Sequence, residues 1–90
     1  MLFMVIERFK NRDAIPVYRR YREEGRMMPD GLKYVDSWVE PDLGRCFQLI
    51  ECDDPQLLQQ WTNRWQDLVD FEIVSVVTSR EAAAAIASQL

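Results

Sequence analysis

Leu2-Phe3-Met4-Val5-Ile6-Glu7-Arg8-Phe9 is the stretch on which the fold turns. It is rich in strand formers, and Phe3, Met4, Val5 and Ile6 are apolar at both parities. Successive strand residues point to opposite faces of a sheet, so a strand with one wet face alternates polar and apolar residues. This run does not alternate, which predicts a central strand covered on both sides.

Downstream, Asn11-Arg12-Asp13 supplies a helix start, with Asp13 as the expected N-cap and Pro16 in the first turn, where its missing N–H costs nothing. Ala14, Val17, Tyr18 and Tyr21 recur at helical spacing, and Gly25 is a natural stop after Glu24. Turn residues at 28–31 precede strand composition from Leu32 to Val39; the loop Pro41-Asp42-Leu43-Gly44 leads into a further strand from Arg45 to Cys52. Asp53-Asp54-Pro55 opens a second helix, expected over 55–68, with Leu57, Leu58, Trp61, Trp65 and Leu68 as its core stripe. Phe71 to Thr78 reads as the fourth strand, and Thr78-Ser79-Arg80-Glu81 forms a capping box into an alanine-rich terminal helix.

The order β, α, β, β, α, β predicts an α+β fold: one ferredoxin-like domain over residues 1–90, with a four-stranded antiparallel sheet and an added C-terminal helix. Right-handed crossovers place both main helices on one face and leave the other bare. A second copy laid sheet against sheet covers that face and yields a homodimer, a dimeric α/β barrel. The competing cover is the terminal helix folding back.

In the simplest hairpin register Glu40 faces Arg45 and Trp38 faces Phe47, so Tyr34, Asp36, Trp38, Phe47, Leu49 and Glu51 share one side. Val35, Ser37, Val39, Cys46, Gln48, Ile50 and Cys52 share the other, whose small and branched residues suit packing by helices. The first side, aromatic with two carboxylates, is expected to line an inter-sheet space able to hold a small molecule. There Asp36 or Glu51 would serve as general base and Tyr34 as hydrogen-bond donor, with Trp38, Phe47 and Leu49 contacting the ligand. The structural alternative pairs the two carboxylates with Arg8 or Arg45 and makes the aromatics interface filler.

Composition narrows the function classes. Of the 90 residues, 48% are hydrophobic and 11% aromatic, which suits one packed core, and the net charge of -4 argues against a nucleic-acid or anionic-membrane partner. Arg19, Arg20 and Arg22 stand beside Glu23 and Glu24 and read as a solvated helix face. There is no histidine, so the commonest general base and zinc or haem ligand is missing, and neither metal nor cofactor is expected. The three glycines lie in separate turns and make no phosphate loop, and no serine has a histidine to form a triad. Apolar runs too short for a membrane span or secretory signal, and two cysteines on one strand, read as buried small hydrophobes in a reducing compartment, make a cytoplasmic protein the expectation.

The segments GLKYVDSWVE, RCFQLIECDDP, LLQQW and FEIVSVVTSREAAAAI together resemble a family of short bacterial proteins known as a domain of unknown function, over essentially the whole chain. The order of elements is also similar to that of the dimeric α/β-barrel superfamily, which includes cofactor-free monooxygenases, muconolactone isomerase-like enzymes and haem-degrading enzymes. That resemblance implies a fold, a dimer and a cavity, and leaves the reaction open. Without histidine the chain departs from the haem-degrading branch. Three readings follow: a homodimeric module holding a small apolar or aromatic ligand between its sheets, a cofactor-independent isomerase or monooxygenase using a pocket carboxylate, and an assembly or regulatory subunit meeting another protein through the Arg19, Arg20 and Arg22 helix.

Overall fold

A computed structural model describes all residues 1–90. Four strands, β1 (Leu2–Phe9), β2 (Lys33–Val39), β3 (Arg45–Glu51) and β4 (Val69–Val76), form one antiparallel sheet in the order β2-β3-β1-β4. Helices α1 (Ile15–Glu24) and α2 (Gln56–Asn63) carry the two crossovers, and α3 (Ser79–Ile86) follows β4. This is the ferredoxin-like order, with β1 central as its apolar run requires.

β1 buries one parity. Phe3, Val5, Glu7 and Phe9 point into the layer beneath the helices, opposite Ile50, Gln48 and Cys46 of β3. Val17 from α1 and Leu58 and Trp61 from α2 close over them, with Trp65 and Val69 completing the core. The other parity, Leu2, Met4 and Ile6, meets Leu49 and Phe47 of β3 and Val74 and Val76 of β4 on the open face, where these residues are only half covered or exposed.

The helix starts sit one residue later than expected. Ala14 and Pro55 occupy the cap positions, because Asp13 and Asp54 accept instead from the N–H groups of Ile15 and Gln56, at 3.1 and 3.0 Å, in Asx turns ahead of the first helical residue. Helix α2 stops at Asn63, yet Trp65 and Leu68 keep their inward place through a tight turn in which Trp65 N–H donates to Thr62 O and Leu68 N–H to Trp65 O. The Thr78 N-cap forms, with the Glu81 N–H donating to Thr78 Oγ1 at 3.1 Å, while the Glu81 carboxylate accepts from the Thr78 hydroxyl rather than from the backbone N–H of a full capping box.

Beyond its cap, α3 stands clear of the body. Every residue from 79 to 90 is exposed. The molecule is accordingly drawn out to 49 × 30 × 17 Å, with a radius of gyration of 14.9 Å against roughly 12 Å for a compact chain of this length. The terminal helix therefore does not fold back over the open face, and that cover is ruled out within one chain. Its apolar side is short, an alanine run ending in Ile86, and it follows an extended cap residue, Thr78, rather than a turn back toward β1.

Candidate functional site

The hairpin register is the expected one: Trp38 pairs with Phe47, and Glu40 accepts from the Arg45 guanidinium at 2.7 and 3.1 Å. One feature changes a site residue. A bulge falls between Tyr34 and Asp36, so that Tyr34 pairs with Ile50 while Asp36 pairs with Leu49. An extra residue reverses the side-chain parity beyond it, and Tyr34 therefore lies on the helix-side face, apart from Asp36, Trp38, Phe47, Leu49 and Glu51. The tyrosine hydroxyl shares a 2.6 Å hydrogen bond with Ser37 Oγ there.

Those five residues do come together on the open face, but as surface. Asp36 is exposed and its carboxylate accepts from the Ser37 N–H at 2.8 Å; Glu51 is exposed; Trp38 is 52% exposed. Arg8 and Arg45 are taken by Glu72 and Glu40, so neither pairs with Asp36 or Glu51. Arg20 is also committed internally: it holds the Asp67 carboxylate with two bonds of 2.8 and 2.6 Å and lies over Trp65, tying α1 to the turn after α2. That ion pair keeps the Asp67 carboxyl below its usual range.

The chain does contain a cavity, in the other layer. A space of about 260 Å³ lies between the helices and the sheet, walled by Phe9, Val17, Val39, Trp61 and Trp65, with Tyr18 and Tyr21 at its mouth. Its polar end is built from Glu7, Gln48, Arg26, Cys46 and Ser37.

Each of these groups is positioned by an identifiable element. Glu7 takes the third place in the inward row of β1 and is 5% exposed. Gln48, from the neighbouring strand, donates through Nε2 to Glu7 Oε2 and accepts from Arg26 Nε at 3.1 Å, so its amide has one possible orientation. Arg26 comes from the loop after α1, where Gly25, with φ of 69°, turns the chain out of the helix and Met27 also takes a positive φ. The loop is fastened from α2: Trp61 Nε1 and Trp65 Nε1 both donate to the Arg26 carbonyl, at 2.9 and 3.0 Å, and Arg64 donates to the carbonyl of Met27. The guanidinium then stacks on the Tyr34 ring at 3.9 Å and lies over Tyr21 at 5.2 Å, with Nη1 donating to the Tyr21 hydroxyl.

Burial pushes the Glu7 carboxyl above its ordinary range, against the opposing pull of the Gln48 bond, the Cys46 thiol and the Arg26 charge. The Cys46 thiol is pushed up to about 12, first by burial and then by the neighbouring Glu7. Burial also raises Tyr18, with Cys46 and Glu7 adding to the shift. Cys46 is therefore a thiol and no nucleophile at neutral pH. Cys46 and Cys52 are both free. What remains is a carboxyl group able to exchange a proton, a cation beside it and an aromatic-walled space next to both.

Glu7 was missed in the sequence because it sits inside an apolar strand. The signal was present in principle, since Glu7 shares its parity with Phe3, Val5 and Phe9 and so puts a carboxylate among inward residues.

No helix is long and apolar enough to cross a membrane. No curated protein and no solved structure matches the chain significantly. The profile of one family, described as a domain of unknown function, DUF3303, matches residues 1–90.

Proposed function

We propose that this chain, which belongs to the DUF3303 family over its whole length, is a binding module for a small, largely aromatic molecule with one polar end, held between helices and sheet. The observation that carries this reading is the cavity itself: five apolar or aromatic walls meeting a fixed Glu7, Gln48 and Arg26 group. A dry apolar cavity of roughly 150 Å³ takes benzene, so about 260 Å³ accommodates a substituted ring or a small fused pair. Apolar walls with a few convergent polar groups are the usual make-up of such sites.

The test is saturation-transfer NMR against a panel of single-ring phenols and hydroxybenzoates. Saturable binding of some members is expected. Val39→Trp, which fills the mouth from an edge strand where the side chain is already 37% exposed, should weaken it at least about tenfold, with the far-ultraviolet spectrum unchanged. A panel that does not bind, or binds Val39→Trp equally well, overturns the reading.

The open face supports a second element, self-association. Leu2, Met4, Ile6, Phe47, Leu49, Val74 and Val76 make a continuous apolar patch there, beside Trp38, and charges of both signs rim it: Arg8 and Arg45 with Glu40, Asp70 and Glu72. A contiguous apolar patch rimmed by polar residues marks an interaction surface, and the same patch on a second copy, brought round by a two-fold axis, is the simplest cover for it. The native chain is expected to sediment as a dimer, and Trp38→Asp as a folded monomer. A monomeric native chain at micromolar concentration would dismiss this element while leaving the cavity untouched.

A further inference from the structure

Glu7 and Arg26 approach one apolar space from two elements, one from the central strand and one from the clamped loop after α1. Gln48 links them, and its two bonds fix which end of its amide faces which partner. Arg26 Nε and Nη1 are engaged, whereas Nη2 donates to nothing in the chain. The guanidinium is held in place by its stacking on Tyr34 and its bonds to Gln48 and Tyr21, while the two indole bonds to its carbonyl fix the backbone from which it extends. A fixed cation with unused donors, beside a carboxyl at the edge of a cavity, is the arrangement that stabilises negative charge developing on a substrate oxygen while a neighbouring proton leaves.

The other groups in the cavity narrow the chemistry. Ser37 shares its hydroxyl hydrogen bond with Tyr34 and has no base beside it, and Cys46 is held as a thiol. Neither is activated for covalent attack.

We infer that the cavity catalyses proton transfer on small cyclic ketones, with Glu7 as the base and Arg26 as the oxyanion partner. This rests on the cavity being a small-molecule site. In the forward step the Glu7 carboxylate removes a proton from the carbon next to the carbonyl. The C–H electron pair forms the enolate C=C bond, and the carbonyl π pair moves onto oxygen against Arg26. Glu7, now a carboxylic acid whose proton exchanges with solvent, protonates the same carbon or, in a β,γ-unsaturated ketone, the γ carbon, as the oxygen pair re-forms the C=O bond. The second route shifts the double bond into conjugation. No atom is gained or lost and no oxidant, reductant or cofactor is consumed.

Two probes test this. Cyclohex-3-enone reports the double-bond shift by the ultraviolet absorbance of the conjugated product, and 2-indanone in D₂O reports α-proton exchange by ¹H NMR. The native protein is expected to accelerate at least one of them about tenfold or more over buffer. Glu7→Gln should return it to the buffer rate, and Arg26→Met should lose most of the acceleration. Ligand-observed NMR on the same samples should show the probe still bound to Glu7→Gln.

Acceleration that persists in Glu7→Gln overturns the inference. So does a probe that binds the native protein without reacting, and so do probes that neither bind nor react. Binding of the aromatic panel is scored separately, so the ligand site can survive the loss of the chemistry.

Discussion

Glu7→Gln is expected to make the protein more stable at neutral pH, with a higher melting temperature whose dependence on pH is flatter than the native one. Glu7 is 5% exposed in the inward row of β1, beside Gln48 and Cys46, and burial raises its pKa from an ordinary 4.5. Below pH 4.5 it is protonated in both the folded and the unfolded chain. Between 4.5 and the raised folded value, the folded state holds the proton more tightly than the unfolded state. Stability therefore falls as pH rises through that window, and above it the whole penalty of keeping an ionised group buried remains. Each pKa unit of separation corresponds to about 1.4 kcal/mol. Glutamine keeps the shape and can still accept from Gln48, without the charge. For a domain of this size 1 kcal/mol moves the melting temperature by about 4–8 °C. Thermal scans of both forms at several pH values decide the matter. A variant less stable than the native protein at neutral pH would mean that the bond from Gln48 to the ionised carboxylate outweighs the desolvation. A gain in stability joined to loss of proton transfer would mark Glu7 as a residue kept at the expense of the fold.

Trp61→Ala should be the most damaging single truncation. The indole is 1% exposed, packs near Phe71 with ring centroids 6.5 Å apart, and donates to Arg26 O. Emptying such a site costs about 3–5 kcal/mol, a large part of the total for a small domain. Urea denaturation should show a midpoint near zero or a chain already unfolded. Trp61→Phe separates packing from hydrogen bonding. It keeps most of the volume and gives up one N–H, and the carbonyl retains its bond from Trp65, so the expected loss is nearer 1 kcal/mol. Equal losses in the two variants would show that the hydrogen bond, rather than the ring, holds this part of the core.

Much of the fold was legible, and the limits have physical causes. The central place of β1, the stripe of Leu58, Trp61 and Trp65, the Glu40 to Arg45 pairing and the Thr78 cap are short-range patterns, and each appears as read, whereas the expected cover on the second face of β1 is not supplied by this chain. The bulge at Val35 carries no residue signature: Lys33 to Val39 contains no glycine, and one extra residue in a strand is a matter of pairing with β3 rather than composition. It moved Tyr34 from the side of Asp36 to the side of Arg26. The location of the cavity was not legible at all, because it depends on where α1 and α2 cross the sheet. Asp36 and Glu51, on β2 and β3, stand out in sequence as carboxylates among aromatic residues, whereas Glu7 follows a run of five apolar residues that masks its inward parity.

The double indole grip on the Arg26 carbonyl has a kinetic side. Moving that loop would forfeit two hydrogen bonds at once, so admission of a guest cannot depend on a flap swinging aside in microseconds to milliseconds. The part of the entrance left outside that grip is the Tyr18 ring, 41% exposed and meeting only Phe9 edge-on, and exposed side chains reorient within nanoseconds. Small visitors should then come and go rapidly, with residence times set by how tightly they are held rather than by a gate.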